Sequence, residues 1–86
     1  MYSFKALYFT APWCKPCVVF GPVMESLKDT LEVEKIDLET NLAEAGKYGV
    51  MSVPTVIFIS EGLEQARFVG ARPEQWVRDF VKEIEV

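Results

Sequence analysis

The stretch from Phe4 to Phe9 constrains this chain more than any other: Phe4, Ala6, Leu7, Tyr8 and Phe9 are apolar, and only Lys5 interrupts them. A run this short and this apolar reads as a strand buried on both faces, the central strand of a sheet covered by helices. Cover for one face follows directly. A helix is expected from around Cys14 to about Leu31, because Phe20, Val23, Met24, Leu27 and Leu31 recur at the three- and four-residue spacings of one buried face. Pro22 falls inside that run, where it removes one backbone bond and is expected to bend the helix. Thr10, Ala11, Pro12 and Trp13 form the loop between strand and helix.

The rest of the chain alternates in the same way. Val33 to Leu38 reads as a second strand, with Val33, Lys35 and Asp37 on one face and Glu34, Ile36 and Leu38 on the other. Asn41 to Tyr48 is a short helix, with Thr40 as its expected cap and Gly49 as its stop. Thr55 to Ser60 is a strand rich in β-branched residues, Glu61 and Gly62 a turn, and Gln65 to Val69 a fourth strand. The last helix opens at Pro73 and is expected to carry Trp76, Val77, Phe80, Val81 and Ile84 inward. The first two strands, joined through a helix, are parallel by a right-handed crossover, and the last two form a hairpin. The expectation is an α/β fold: one domain over residues 1–86, with a four-stranded mixed sheet flanked by three helices on both faces.

The chain has two cysteines, Cys14 and Cys17, and no histidine. Two cysteines this close make a poor structural staple, since the loop they close is so short that little chain entropy is removed. A structural zinc site needs four ligands, and the cysteines supply half of that, so no metal is expected. Without histidine there is no Ser-His or Cys-His catalytic pair. The formal charge of −4 argues against a nucleic-acid partner, because few counterions would be released. No apolar stretch is long enough to span a bilayer, and Met1 to Lys5 lack the basic-then-apolar pattern of an export signal. A cytoplasmic setting, no membrane partner and a monomer are the expectations. Glu32, Glu34 and Glu39, and Glu83 with Glu85, read as solvated faces. What remains for the cysteines is a reversible redox pair.

Their position suits that chemistry. The first amides of a helix have no partners within it, and the helix dipole adds partial positive charge there. A thiolate at Cys14 would be stabilised by both, with Lys15 adding a cation beside it. Cys17 lies one helical turn deeper, placed to attack a mixed disulfide formed at Cys14. Pro16 lacks an amide hydrogen, which costs nothing in a first turn, and it stiffens the ring between the sulfurs. Cys14 is thus the expected nucleophile and Cys17 the expected resolving thiol. Val53, Pro54 and Thr55 mark a tight turn or a cis bond ahead of a central strand; the residues alone leave the two open.

Taken together, these residues resemble the thioredoxin family. The likeness runs through Trp13-Cys14-Lys15-Pro16-Cys17, Pro22, Lys35, Lys47-Tyr48-Gly49-Val50, Val53-Pro54-Thr55, Gly62 and Val69-Gly70-Ala71. It implies a thioredoxin fold and reduction of protein disulfides by dithiol exchange, without a bound cofactor. It also implies a cis Pro54 beside the cysteines and backbone hydrogen bonds offered by Val53 to a bound peptide. Trp13, Val53, Pro54, Gly70 and Ala71 would form a flat apolar docking surface around Cys14. The implied partners are disulfide-containing proteins, such as a ribonucleotide reductase or a peroxidase, and a flavoprotein thioredoxin reductase.

Three features depart from the family pattern. The chain starts directly with the strand before the cysteines, without the extra strand and helix common in thioredoxins, as in the short forms of some archaea and phages. Lys15 stands where glycine is common, and its charge should make the disulfide somewhat more oxidising. Tyr8 replaces a buried aspartate thought to help deprotonate the resolving cysteine, while Lys35, that aspartate's usual neighbour, is retained. Tyr8 is then expected to fill the space, with Cys17 losing its proton to water or with help from Lys35; the plain alternative is that Tyr8 is core and Lys35 snorkels to solvent. Two other readings stay open: a glutaredoxin-like protein reduced by glutathione, with Lys15, Lys47 and Arg72 as available cations, and a docking module without redox activity.

Overall fold

The computed structural model describes residues 2–85. The chain runs β1 (Lys5–Thr10), α1 (Lys15–Ser26), a 3-10 turn (Leu27–Asp29), β2 (Glu32–Asp37), α2 (Leu42–Tyr48), β3 (Thr55–Ser60), β4 (Leu63–Val69) and α3 (Glu74–Glu85). The four strands form one mixed sheet in the order β2-β1-β3-β4. β1 pairs in parallel with β2 and antiparallel with β3, so both of its edges are occupied and its apolar composition is explained. Among the described residues no strand or helix precedes β1.

The two faces of the sheet carry separate cores. On one, Phe4, just before β1, and Ala6 and Tyr8 of β1 pack with Phe20 and Met24 of α1 and Val77 and Val81 of α3. On the other, Leu7 and Phe9 of β1 pack with Ile36, Ile57 and Ala45 of α2. The period-two alternation of a strand therefore assigns α1 and α3 to one side and α2 to the other. Phe58 lies at the middle of an aromatic cluster, with ring centroids 5.8 Å from Phe4, 6.2 Å from Phe68 and 5.7 Å from Phe80. Arg78 ties α3 to the end of α1, reaching the Ser26 carbonyl at 3.3 Å and both oxygens of Asp29 at 3.4 Å.

Several boundaries differ from the sequence expectation, each for a local reason. β1 gains Thr10 at its end because pairing with Asp37 of β2 extends that far. α1 begins after Cys14, which stands at its N-cap, and it tightens into the 3-10 turn from Leu27. Leu31 keeps its place in the core just beyond. α2 is preceded by Asn41 rather than Thr40 at its N-cap, and no side chain caps it. Gly49 ends it at φ 65°, a conformation glycine adopts without a Cβ clash. β4 starts two residues early, at Leu63, because a bulge leaves Gln65 unpaired between Glu64 and Ala66. α3 starts at Glu74, with the Pro73 carbonyl accepting the amide of Val77. Trp76 does not enter the core as expected: it is 37% exposed and stacks on Phe80 at the margin, with Arg72 over its ring.

Phe58→Ala removes the ring at the centre of this cluster. It should lower the unfolding free energy by about 3–5 kcal/mol in urea titrations. Leu63→Ala, at an exposed strand end, should stay within about 0.5 kcal/mol of the parent chain.

Candidate redox site

β1 delivers the chain to the site. Beyond Thr10 the loop residue Ala11 stays buried and its carbonyl accepts the Cys14 amide at 3.2 Å, which turns the backbone into α1. Cys14 has an extended backbone (φ −90°, ψ 107°), as an N-cap residue should. Its sulfur accepts the amide of Cys17 at 3.2 Å. One of the four orphan donors of the helix is thus satisfied by sulfur, where most caps use oxygen. Lys15 and Pro16 occupy the first turn and are exposed, so the proline's missing amide removes nothing from the helix ladder.

Cys14 and Cys17 are joined in a disulfide, with Cα atoms 5.2 Å apart. Exposure does not separate the two: Cys14 is 5% and Cys17 4% exposed. Hydrogen bonding does. Cys14 Sγ receives the Cys17 amide, and it lies 3.7 Å from the carbonyl of Val53, within reach of a thiol donor once the disulfide is reduced. Cys17 sits beneath the helix in a small cluster with Ala11 and Cys14, against which Val53 packs.

The loop before β3 completes the site. The Val53–Pro54 peptide is cis, as the resemblance implied. The Pro54 carbonyl accepts the amide of Gly70 at 2.8 Å, and Gly70 holds φ 97°, a region few side chains tolerate. The loop that packs against the cysteines through Val53 is thereby tied to the Gly70 turn. Trp13 is 63% exposed and Ala71 is exposed, while Val53 and Gly70 are half-buried. Pro54 departs from the expectation for a surface residue. Its side chain is fully buried, so it forms the floor of the site, because β3 and the Gly70 loop close over it.

Behind Cys17, Tyr8 is buried, and its hydroxyl donates to the Cys17 carbonyl at 3.1 Å, with Thr10 Oγ1 at 3.4 Å. Lys35 is exposed and lines a cleft of about 230 Å³ together with Tyr8, Thr10, Cys17 and Asp37. Thr10 and Asp37 escaped the sequence reading, although Asp37 lies two residues beyond Lys35 on the same strand face. Val18 and Val19, at 70% and 75% exposure, were also missed; they fall off the buried stripe of α1 and extend the apolar rim beside Trp13. Surface ion pairs shift the protonation of their members. Hydrogen bonding to Glu34 raises the pKa of Lys5, and a hydrogen bond from Arg67 lowers that of Glu64. Among the described residues no group of three or more Cys, Asp or Glu is placed to hold a metal ion, and no helix is long and apolar enough to cross a membrane.

A disulfide whose first sulfur caps a helix, beside an apolar rim and over a mixed sheet, is the working end of a thiol–disulfide oxidoreductase. The comparisons give it a family. The Thioredoxin family model matches residues 4–83. A thioredoxin of Bacillus subtilis is 42% identical over 77 residues, covering 85% of this chain and 74% of that protein. Among solved structures, a mutant thioredoxin from Halobacterium salinarum superposes with a TM-score of 0.90 at 32% identity, covering 99% of this chain and 77% of that one. A malarial protein matches over 98% of this chain and 99% of its own, with a TM-score of 0.88 at 27% identity. The chain belongs to the thioredoxin family, and its fold is the thioredoxin fold in a short form.

Among the described residues, the Tyr8 hydroxyl is the side-chain donor directed at the backbone of Cys17. Tyr8→Phe keeps the ring in the core and removes that bond. Unfolding in urea should show a loss of about 1 kcal/mol in the oxidised protein.

Proposed function

We infer that Cys14 is the nucleophile and Cys17 the resolving thiol of a thioredoxin that reduces protein disulfides. The observation that carries this assignment is the Cys17 amide donated to Cys14 Sγ at the N-cap of α1. A thiolate accepts that bond more strongly than a thiol, and the helix dipole acts in the same direction, so Cys14 is the sulfur that ionises first. The adjacent cation of Lys15 adds to the effect.

The reaction then runs in two exchanges. Cys14 thiolate attacks one sulfur of a substrate disulfide, the other leaves as a thiol, and a mixed disulfide joins substrate to Cys14. Cys17 attacks Cys14 Sγ, the second substrate sulfur leaves, and the Cys14–Cys17 disulfide closes. Two electrons have moved from the protein dithiol to the substrate.

Trp13, Val18 and Ala71 leave exposed apolar surface around the sulfurs, and Val53 offers its backbone beside them, which suits docking of an extended peptide around a disulfide. Family membership supports a flavoprotein thioredoxin reductase as electron source, disulfide-bearing enzymes such as a ribonucleotide reductase or a peroxidase as targets, a cytoplasmic setting, a monomeric state and no bound cofactor.

Insulin-disulfide reduction tests this reading. The assay is run with NADPH and a thioredoxin reductase, and in parallel with glutathione and its reductase. Turnover is expected with the first system and should fall to background in Cys14→Ser. Turnover with glutathione alone would identify a glutaredoxin-like protein, and silence in both would point to a docking module. Cys17→Ser should trap substrate as a stable mixed disulfide on Cys14, seen as a mass adduct; no adduct on this variant would overturn the assignment. After reduction, iodoacetamide should label Cys14 at least about tenfold faster than Cys17 at neutral pH, since the thiolate is the reactive form.

A further inference from the structure

The two-step exchange leaves one requirement unmet: Cys17 must lose a proton when it attacks, and it is buried away from bulk water. The cleft behind it meets that need. Tyr8 and Thr10 of β1, Cys17 and Gly21 of α1, and Lys35 and Asp37 of β2 are among its walls. Its volume of about 230 Å³ holds several water molecules, each occupying about 30 Å³ in the liquid. The parallel register sets Tyr8 opposite Lys35 and Thr10 opposite Asp37, so all four side chains stand on the α1 side of the sheet.

Three titratable side chains face this cleft besides Cys17, and chemistry separates them. The ammonium of a lysine has donors only. The Tyr8 hydroxyl is committed to the Cys17 carbonyl and to Thr10. A carboxylate is acceptor-only, and Asp37 is the one carboxylate on this cleft. One of its oxygens, Oδ1, is held by the Glu39 amide at 2.8 Å, while Oδ2 has no partner among the described residues. Further along the groove, Glu25 of α1 and Lys28 of the 3-10 turn line a neighbouring cleft that shares Tyr8, Gly21 and Lys35 but not Cys17. α2 packs on the opposite face, and no charged residue of α3 lines the cleft.

We propose that Asp37 accepts, through water in this cleft, the proton that Cys17 loses when it resolves the mixed disulfide. This rests on the assignment of Cys14 and Cys17 made above. The Cys17 proton passes to a cleft water, which gives one of its own to Asp37. The Cys17 thiolate forms the bond to Cys14 Sγ as the bond from Cys14 to substrate breaks. The electron pair leaves on the substrate sulfur, which takes a proton from solvent, and Asp37 returns its proton through the open mouth of the cleft. Asp37 acts through the water of the cleft, and the Glu39 amide positions it.

The test is acid-quenched mass spectrometry of the reduced protein mixed with a model peptide disulfide, counting mixed and internal disulfide over time. Asp37→Asn retains an oxygen for the Glu39 amide. It should form the mixed disulfide at the parent rate and resolve it about tenfold more slowly at neutral pH, a modest share of what a positioned base contributes. The deficit should shrink towards about pH 9, where a cysteine ionises without help, and Asp37→Glu should restore most of the rate. Asp37→Ser serves if the amide variant fails to fold. Resolution within about twofold of the parent at neutral pH, or a deficit independent of pH, would overturn the proposal. Absence of a mixed disulfide on Cys14 in the parent chain would instead overturn the assignment of the pair.

Discussion

The free amides at the start of α1 can serve a sulfur only because the strand before them is pinned on both edges. β1 is bonded to β2 on one side and β3 on the other, and its side chains fill cores on both faces. That leaves its C-terminal end little freedom. The loop from Ala11 to Trp13 turns under one backbone bond, Cys14 arrives at the N-cap, and the Cys17 amide meets its sulfur at 3.2 Å. A helix start anchored less firmly would spread those donors over many positions and lose the preference for one thiolate.

The second constraint reaches the site from the far side of the sheet. The Val53–Pro54 loop and Gly70 are joined by a 2.8 Å bond, and Val53 lies over both cysteines. Burial of Pro54 makes this loop a rigid floor, whereas Trp13 and Ala71 stand clear as a rim.

Tyr8 closes the core behind Cys17. A phenol fills the space behind Cys17 and satisfies a backbone carbonyl, so the core closes without a buried charge, which would be costly there. The charged groups nearby, Lys35 and Asp37, stand one strand outward on β2, where they line an open cleft. Tyr8 is buried and Lys35 is exposed on the cleft that Cys17 also lines, positions that fit both proton-transfer support and a plain core tyrosine beside a solvated lysine.

Much of this was legible in the residues. The apolar run of β1, the 3–4 spacing on α1 and the β-branched run of β3 announced their elements, because each pattern is the period of one geometry. The Cys14–Cys17 pair at a strand-to-helix junction announced the chemistry, since helix-start amides follow from local backbone alone. The places where the reading slipped have a common cause. The uncapped start of α2 after Asn41, the bulge at Gln65, the buried Pro54 and the half-exposed Trp76 depend on what packs against them. So does the meeting of Asp37 with Cys17, which lie twenty residues apart in sequence and share a cleft only through the parallel register of β1 and β2. The sequence by itself determined which segments become strands and helices and which sulfurs react, because those follow from neighbours a few residues away. Only the tertiary structure decided which carboxylate stands behind the buried thiol and which residues form floor or rim, because pairing and packing bring together groups that no local pattern connects.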